Sequence, residues 1–196
     1  MIGTPSTGFC VMRAALPPHR APHRQHLRAW LQAGGSLTAR LRRHGVVQVQ
    51  VCRQGRQRLW AHEAQAVGAP HGHVREVVLW VDDRPAVWAR SVTTVAHTRG
   101  PWRAIKGLGS RPLAEVLFIS AGIHREPLRA ERWPSHSLPW RHRLQAWHTA
   151  LSQPARPTEG ALPPSPVWAR HSVFIRRGAP LMVTECFAPW LASLAP

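Results

Sequence analysis

Two arginines and one glutamate stand where a charge is costly without a partner. Arg75 and Arg90 lie in apolar runs, residues 74–81 and 85–92, joined by Asp82-Asp83. Their β-branched and aromatic residues read as strands, and the acidic dipeptide reads as a hairpin turn. With two residues in the turn, Val81 pairs with Arg84 and Arg75 falls opposite Arg90. Both then share a face with Val77, Leu79, Ala86 and Trp88. Two guanidinium groups on Cβ atoms about 5 Å apart repel unless an anion lies between them. A planar guanidinium grips a carboxylate with two parallel hydrogen bonds, so the pair suggests a site for a carboxylate-bearing small molecule. The competing reading is a register shifted by one, or neutralisation of the pair by Glu76.

Glu185 sits inside a second apolar hairpin, residues 168–176 and 181–187, which turns at Arg177-Gly178. A two-residue turn there puts Glu185 opposite Arg170. A cross-strand ion pair is one reading; a carboxylate that meets a ligand hydroxyl or accepts a proton is the other. A third element is Ser110-Arg111-Pro112-Leu113, which reads as a helix start. Its amides have no partner within the helix, so the Leu113 N–H is available to an anion.

These groups must be positioned by a modest scaffold. The chain has 196 residues, 44% of them apolar, enough for one domain with a substantial core. Residues 1–23 are rich in Pro and His and read as a flexible arm, with residues 24–196 as the domain. Residues 24–33 form a helix, Gly34-Gly35 breaks it, and Ser36 caps a short helix that ends near Gly45. Val47, Val49 and Val51 alternate with Gln48 and Gln50, the period of a half-exposed strand. Residues 63–72 read as a loop. Residues 101–106 and 110–118 read as short helices, and residues 123–133 as a further strand. Proline-rich residues 134–166 form an insertion around a helix over 141–151. Helices mixed with hairpins predict an α+β fold, a single antiparallel β-sheet with helices packed on it.

Charge and cysteine usage narrow the function classes. Lys and Arg total 26 against 9 Asp and Glu, a formal charge of +17. The basic residues are spread along the chain and all but Lys106 are arginine, which favours a solvated basic surface over a nucleic-acid footprint. No specific nucleic-acid partner is expected. Cys10, Cys52 and Cys186 are widely spaced and form no CxxC pair, so they read as reduced thiols. His19, His23 and His26 lack a completing ligand among prolines, and no metal is expected. The sequence has no apolar run long enough for a transmembrane segment and no signal-peptide pattern, so a cytoplasmic protein is expected.

At the residues singled out above, the sequence resembles the chorismate pyruvate-lyases of ubiquinone biosynthesis. The matching pieces run in the family's order. They are Ser36-Leu37-Thr38, Arg75-Glu76-Val77-Val78-Leu79, Trp88-Ala89-Arg90, Leu108-Gly109-Ser110-Arg111-Pro112-Leu113, Leu117-Phe118, and Pro180 through Pro189. The likeness covers about residues 27–190 outside the proline-rich insertion. It implies an antiparallel sheet with helices enclosing a pocket, and a monomer that uses no cofactor. It also implies chorismate as substrate and 4-hydroxybenzoate as product, in the first committed step of ubiquinone biosynthesis. By the same likeness, Arg75 and the Leu113 amide hold the ring carboxylate. Glu185 and the backbone at Leu37 meet the 4-hydroxyl, and Arg90 binds the enolpyruvyl carboxylate. The alternative is a non-catalytic ligand-sensing domain of the same fold, such as the effector domains of bacterial transcription regulators.

Overall fold

The computed structural model describes residues 21–118, 121–134, 137–152 and 168–196. Among these, seven strands build one antiparallel sheet: β1 (Val47–Arg58), β2 (His71–Val81), β3 (Arg84–Thr93), β4 (Ile123–Arg125), β5 (Arg129–Arg132), β6 (Trp168–Arg176) and β7 (Ala179–Phe187). Their spatial order is β1-β2-β3-β7-β6-β4, with β5 also paired to β6. The helices are α1 (Ala21–Gln32), α2 (Leu37–Leu41), α3 (Ala61–Val67), α4 (Ala114–Leu117) and α5 (Leu138–Leu151). This is the expected α+β fold. Residues 1–20 of the expected arm lie outside the described residues, and helix begins at Ala21.

Both hairpins turn where their composition says. Val81 pairs with Arg84 and Arg176 with Ala179. Asp82 and Arg177 adopt φ of +51° and +50°, and Gly178 follows at +74°. Positive φ lets a two-residue turn match the right-handed twist of its strands.

The register of the first hairpin corrects the expected arginine pair. Trp80 opposes Pro85, but Leu79 opposes Val87, so Ala86 is an extra residue in β3. One inserted residue reverses the facing of every side chain beyond it. Arg75 therefore opposes Ser91, while Arg90 opposes Glu76. The two arginines lie on opposite faces of the sheet.

Each face carries its own core. On one, α1 and α2 lay Trp30, Leu31, Leu37 and Leu41 over Val77, Leu79, Val87 and Phe187. Leu117 of α4 joins Trp102, Ile105, Phe174, Leu181 and Val183 farther along that face. On the other, α5 presses Ala146, Trp147, Ala150 and Leu151 onto Val78, Trp80, Trp88 and Cys186. Thus the described part of the proline-rich insertion, α5, supplies core.

Residues 63–72 were expected as loop but are mostly helix and strand. Trp60 stands at the cap of α3, and Glu63 Oε2 accepts its backbone N–H at 2.9 Å. Gly68, at φ +73°, ends the helix in the left-handed conformation that glycine tolerates. An apolar Trp at the cap position hid this helix start from residue-type reasoning.

Candidate active site

The first face of the sheet encloses a cavity with about 640 Å³ of empty space, counted to its open mouth. Its floor is Val77, Ala89, Ser91, Phe174 and Val183. Its cover comes from Gly35, Leu37 and Thr38 on one side and Pro112, Leu113, Leu117 and Phe118 on the other. Ser36 shapes the first cover segment, because its side chain accepts the Ala39 N–H at 3.2 Å and starts α2. Three charged side chains reach this largely apolar wall: Arg75, Arg125 and Glu185.

Arg75 is 2% exposed and, among the described residues, has no carboxylate partner. One terminal nitrogen, Nη2, donates to the carbonyls of Gly109 at 2.8 Å and Arg111 at 3.1 Å. Those bonds tie the guanidinium to the loop that leads into α4. Its Nε has no hydrogen-bond partner. Burial pushes its pKa down, with no nearby acid to oppose the effect. A buried cation left this way is stabilised by an incoming carboxylate. Among the described residues the Leu113 N–H, ahead of α4, also takes no acceptor.

Glu185 and Arg170 face each other across the second hairpin, as the turn implied. Glu185 Oε2 accepts Arg170 Nε at 2.6 Å. Arg170 is 1% exposed and donates further to the carbonyls of Trp30 at 2.8 Å and Ala33 at 2.7 Å. One guanidinium thus fixes the carboxylate and ties it to the end of α1, just before the Gly35–Leu37 cover. None of the hydrogen bonds among the described residues uses Glu185 Oε1, which leaves it to the cavity.

The register also sets how far apart the two groups stand. Across the sheet Ala89 and Glu185 are level with Val77, while Ser91 and Val183 are level with Arg75. Glu185 is therefore two strands and two residues from Arg75, or about 12 Å between Cα atoms.

Arg90 belongs elsewhere. It is 1% exposed on the opposite face, its Nε 2.6 Å from Glu63 Oε1 and its Nη2 3.0 Å from Glu63 Oε2. Its Nη1 donates to Glu76 Oε1, and its guanidinium stacks 4.2 Å from the Trp60 ring centroid. Every arm is engaged by a protein group, and none lines the cavity. The placement of Arg90 at a substrate carboxylate is overturned by the bulge at Ala86. Glu76 neutralises Arg90 and not Arg75.

Sequence reasoning missed Arg125. It sits on three-residue β4, at the sheet's far edge, in a segment whose pattern promised only a strand. Nothing in its local sequence separates it from other surface arginines; only the curl of β4 over Phe174 brings it to the cavity.

Fold and cavity together define an α+β domain with a largely apolar cavity between sheet and helices, lined by Arg75, Arg125 and Glu185. The sequence model described as chorismate lyase matches residues 21–193. A probable chorismate pyruvate-lyase from Albidiferax ferrireducens is 45% identical over 179 residues, covering 87% of each chain. Proteins of the same name from Azoarcus sp. strain BH72 and Bordetella avium are 40% and 37% identical. The first of these covers 92% of each chain; the second covers 88% of this chain and 80% of its own. The chain belongs to the chorismate lyase family. Among solved structures, gene product SA0254 of Staphylococcus aureus matches with a TM-score of 0.45 at 13% identity, over 80% of this chain and 89% of its own. The effector domain of PhnF from Mycobacterium smegmatis matches with a TM-score of 0.45 at 10% identity, over 80% and 90%.

Proposed function

We propose that this protein is a chorismate pyruvate-lyase that converts chorismate to 4-hydroxybenzoate and pyruvate, at the entry to ubiquinone synthesis and in the cytoplasm. The observation that carries the reading is Arg75: a buried guanidinium without a counter-ion among the described residues, on the wall of a largely apolar cavity that Glu185 also lines. Family membership supplies the substrate.

Chorismate is a dianion whose cyclohexadiene ring carries an enolpyruvyl ether next to a hydroxyl. The C3–O bond breaks, C4 loses its proton, and the ring becomes aromatic. The proton and the departing enolate together make pyruvate, so atoms balance without an oxidant. In this scheme Arg75 and the Leu113 amide hold the ring carboxylate. Glu185, oriented by Arg170, accepts a hydrogen bond from the 4-hydroxyl, with the Leu37 backbone on the other side. The C4 proton passes either through Glu185 or directly to the enolpyruvyl methylene in a concerted step. The apolar walls exclude water and strengthen each of these contacts.

The test is incubation of purified protein with chorismate, chelator present and no metal added, following both products by chromatography. Stoichiometric 4-hydroxybenzoate and pyruvate are expected. Arg75→Met and Glu185→Gln should each lower kcat/KM by about 100-fold or more, the scale of a lost charge-assisted contact in a buried site. Arg75→Met should still fold, with a melting temperature lowered by the two carbonyls, Gly109 and Arg111, that lose their donor. Binding of 4-hydroxybenzoate without turnover would point instead to the ligand-sensing alternative.

A further inference from the structure

With Arg90 on the wrong face, the cavity needs another cation if its ligand carries two carboxylates. We propose that Arg125 is the substrate-binding residue for the second carboxylate, a contact that chorismate makes and 4-hydroxybenzoate cannot. This rests on the lyase reading above and adds to it the group that distinguishes substrate from product.

The geometry favours Arg125 over every other arginine near the site. Arg170 is fully engaged by Glu185 and two carbonyls. Arg40 donates two bonds to the Gly34 carbonyl at 3.1 and 3.0 Å. Arg90 is locked between Glu63 and Glu76 on the other face. Arg125 lines the cavity and is held loosely. Its Nε donates to Ser172 Oγ at 3.2 Å, and its Nη1 makes one long bond of 3.5 Å to the Gly35 carbonyl. The guanidinium carbon lies 5.0 Å from the Phe174 ring centroid, which fixes the plane. No ion pair among the described residues includes it.

Its position also fits the substrate's shape. In the strand order β2-β3-β7-β6-β4, Arg75 sits at one end, Glu185 in the middle and Arg125 at the other end. Along the strands Arg125 is level with Leu181, two residues beyond the level of Arg75 and four beyond Glu185, so the three charged groups form a triangle on one wall. In chorismate the ring carboxylate is at C1, the hydroxyl at C4 and the enolpyruvyl ether at C3. The second carboxylate is therefore carried on an arm that leaves the ring next to the hydroxyl carbon and to one side of the C1–C4 axis. A second cation on the cavity wall, apart from Arg75, is what such an arm requires. Arg125 also feels the Glu185 charge, which opposes the lowering of its pKa by burial. The Arg170 charge acts in the same direction as burial.

4-Hydroxybenzoate keeps the C1 carboxylate and loses the second one. Arg125 should therefore matter to chorismate and not to its product. The experiment compares wild type, Arg125→Gln, Arg125→Lys and Arg75→Gln, measuring chorismate kcat/KM and 4-hydroxybenzoate Kd on each, with a melting curve as the fold check. Arg125→Gln should lower kcat/KM by about 100-fold while the product Kd stays within about threefold. Arg125→Lys should recover part of the loss, since it keeps the charge but not the fork. Arg75→Gln should weaken both substrate and product. Parallel loss of substrate and product affinity in Arg125→Gln would make Arg125 a structural brace and overturn the assignment. Unchanged kcat/KM would overturn it as well. If Arg125→Gln does not fold, Arg125→Lys carries the same comparison. Failure of the lyase reading looks different: wild type itself would neither turn over chorismate nor bind 4-hydroxybenzoate.

Discussion

Arg90→Met should damage the fold and spare the chemistry. The guanidinium makes paired bonds to Glu63, a further bond to Glu76, and a stacking contact with Trp60, all at about 1–2% side-chain exposure. Removing one member of a buried ion pair costs about 3–5 kcal/mol, because the partner's charge stays behind. Here two carboxylates stay behind, so the upper part of that range applies. With a urea slope of about 2 kcal/mol/M, the midpoint should fall by about 2 M. Against a usual margin of about 5–15 kcal/mol the variant should still fold in the cold. Chorismate turnover per folded molecule should then stay within about twofold of wild type. Adding Glu63→Gln and Glu76→Gln should recover at least half of the lost midpoint, since removing a whole buried ion cluster is often neutral. The assay is urea denaturation followed by Trp fluorescence, alongside kcat/KM on the folded fraction. An Arg90→Met protein with the wild-type midpoint and abolished turnover would refute the reasoning and return Arg90 to the site.

The remaining predictions concern pH, thiols and packing. Burial alone would raise the Glu76 pKa, but His142 and Arg90 bring it below its ordinary 4.5. A depressed carboxyl contributes stability above pH 4.5 that is lost as pH falls through the lower, folded-state value. Acid titration of the urea midpoint should therefore decline below about pH 4.5, less steeply in Glu76→Gln. Burial pushes the Cys52 thiol up to about 11 and raises Cys186 further. At pH 8 both should react with a thiol reagent at well under a tenth of the rate of the unfolded chain, read by peptide mass. A Cβ on Gly72 would lie 2.5 Å from the Thr93 carbonyl oxygen and 3.0 Å from Leu59. Gly72→Ala should cost about 1–3 kcal/mol in thermal or urea melts.

Much of this protein is local in origin and was legible in the chain. Alternating valines, two tight turns and Ser36 as a cap specify strands, hairpins and a helix start through nearest-neighbour forces. The Arg170–Glu185 pair follows from one turn length. Arg75, Leu113 and Glu185, singled out in the sequence, all line one cavity. What local pattern could not hold was the bulge at Ala86. One extra residue leaves composition and periodicity almost unchanged, yet it reverses which face Arg90 occupies and separates it from Arg75. The helix at Ala61–Val67 escaped because its cap is a Trp whose bond comes from Glu63, a residue that also serves the buried arginine. Arg125 escaped for a different reason. Its role depends on a three-residue edge strand folding beside Phe174, and contacts across the sheet, unlike those along the chain, exist only once the tertiary structure has formed.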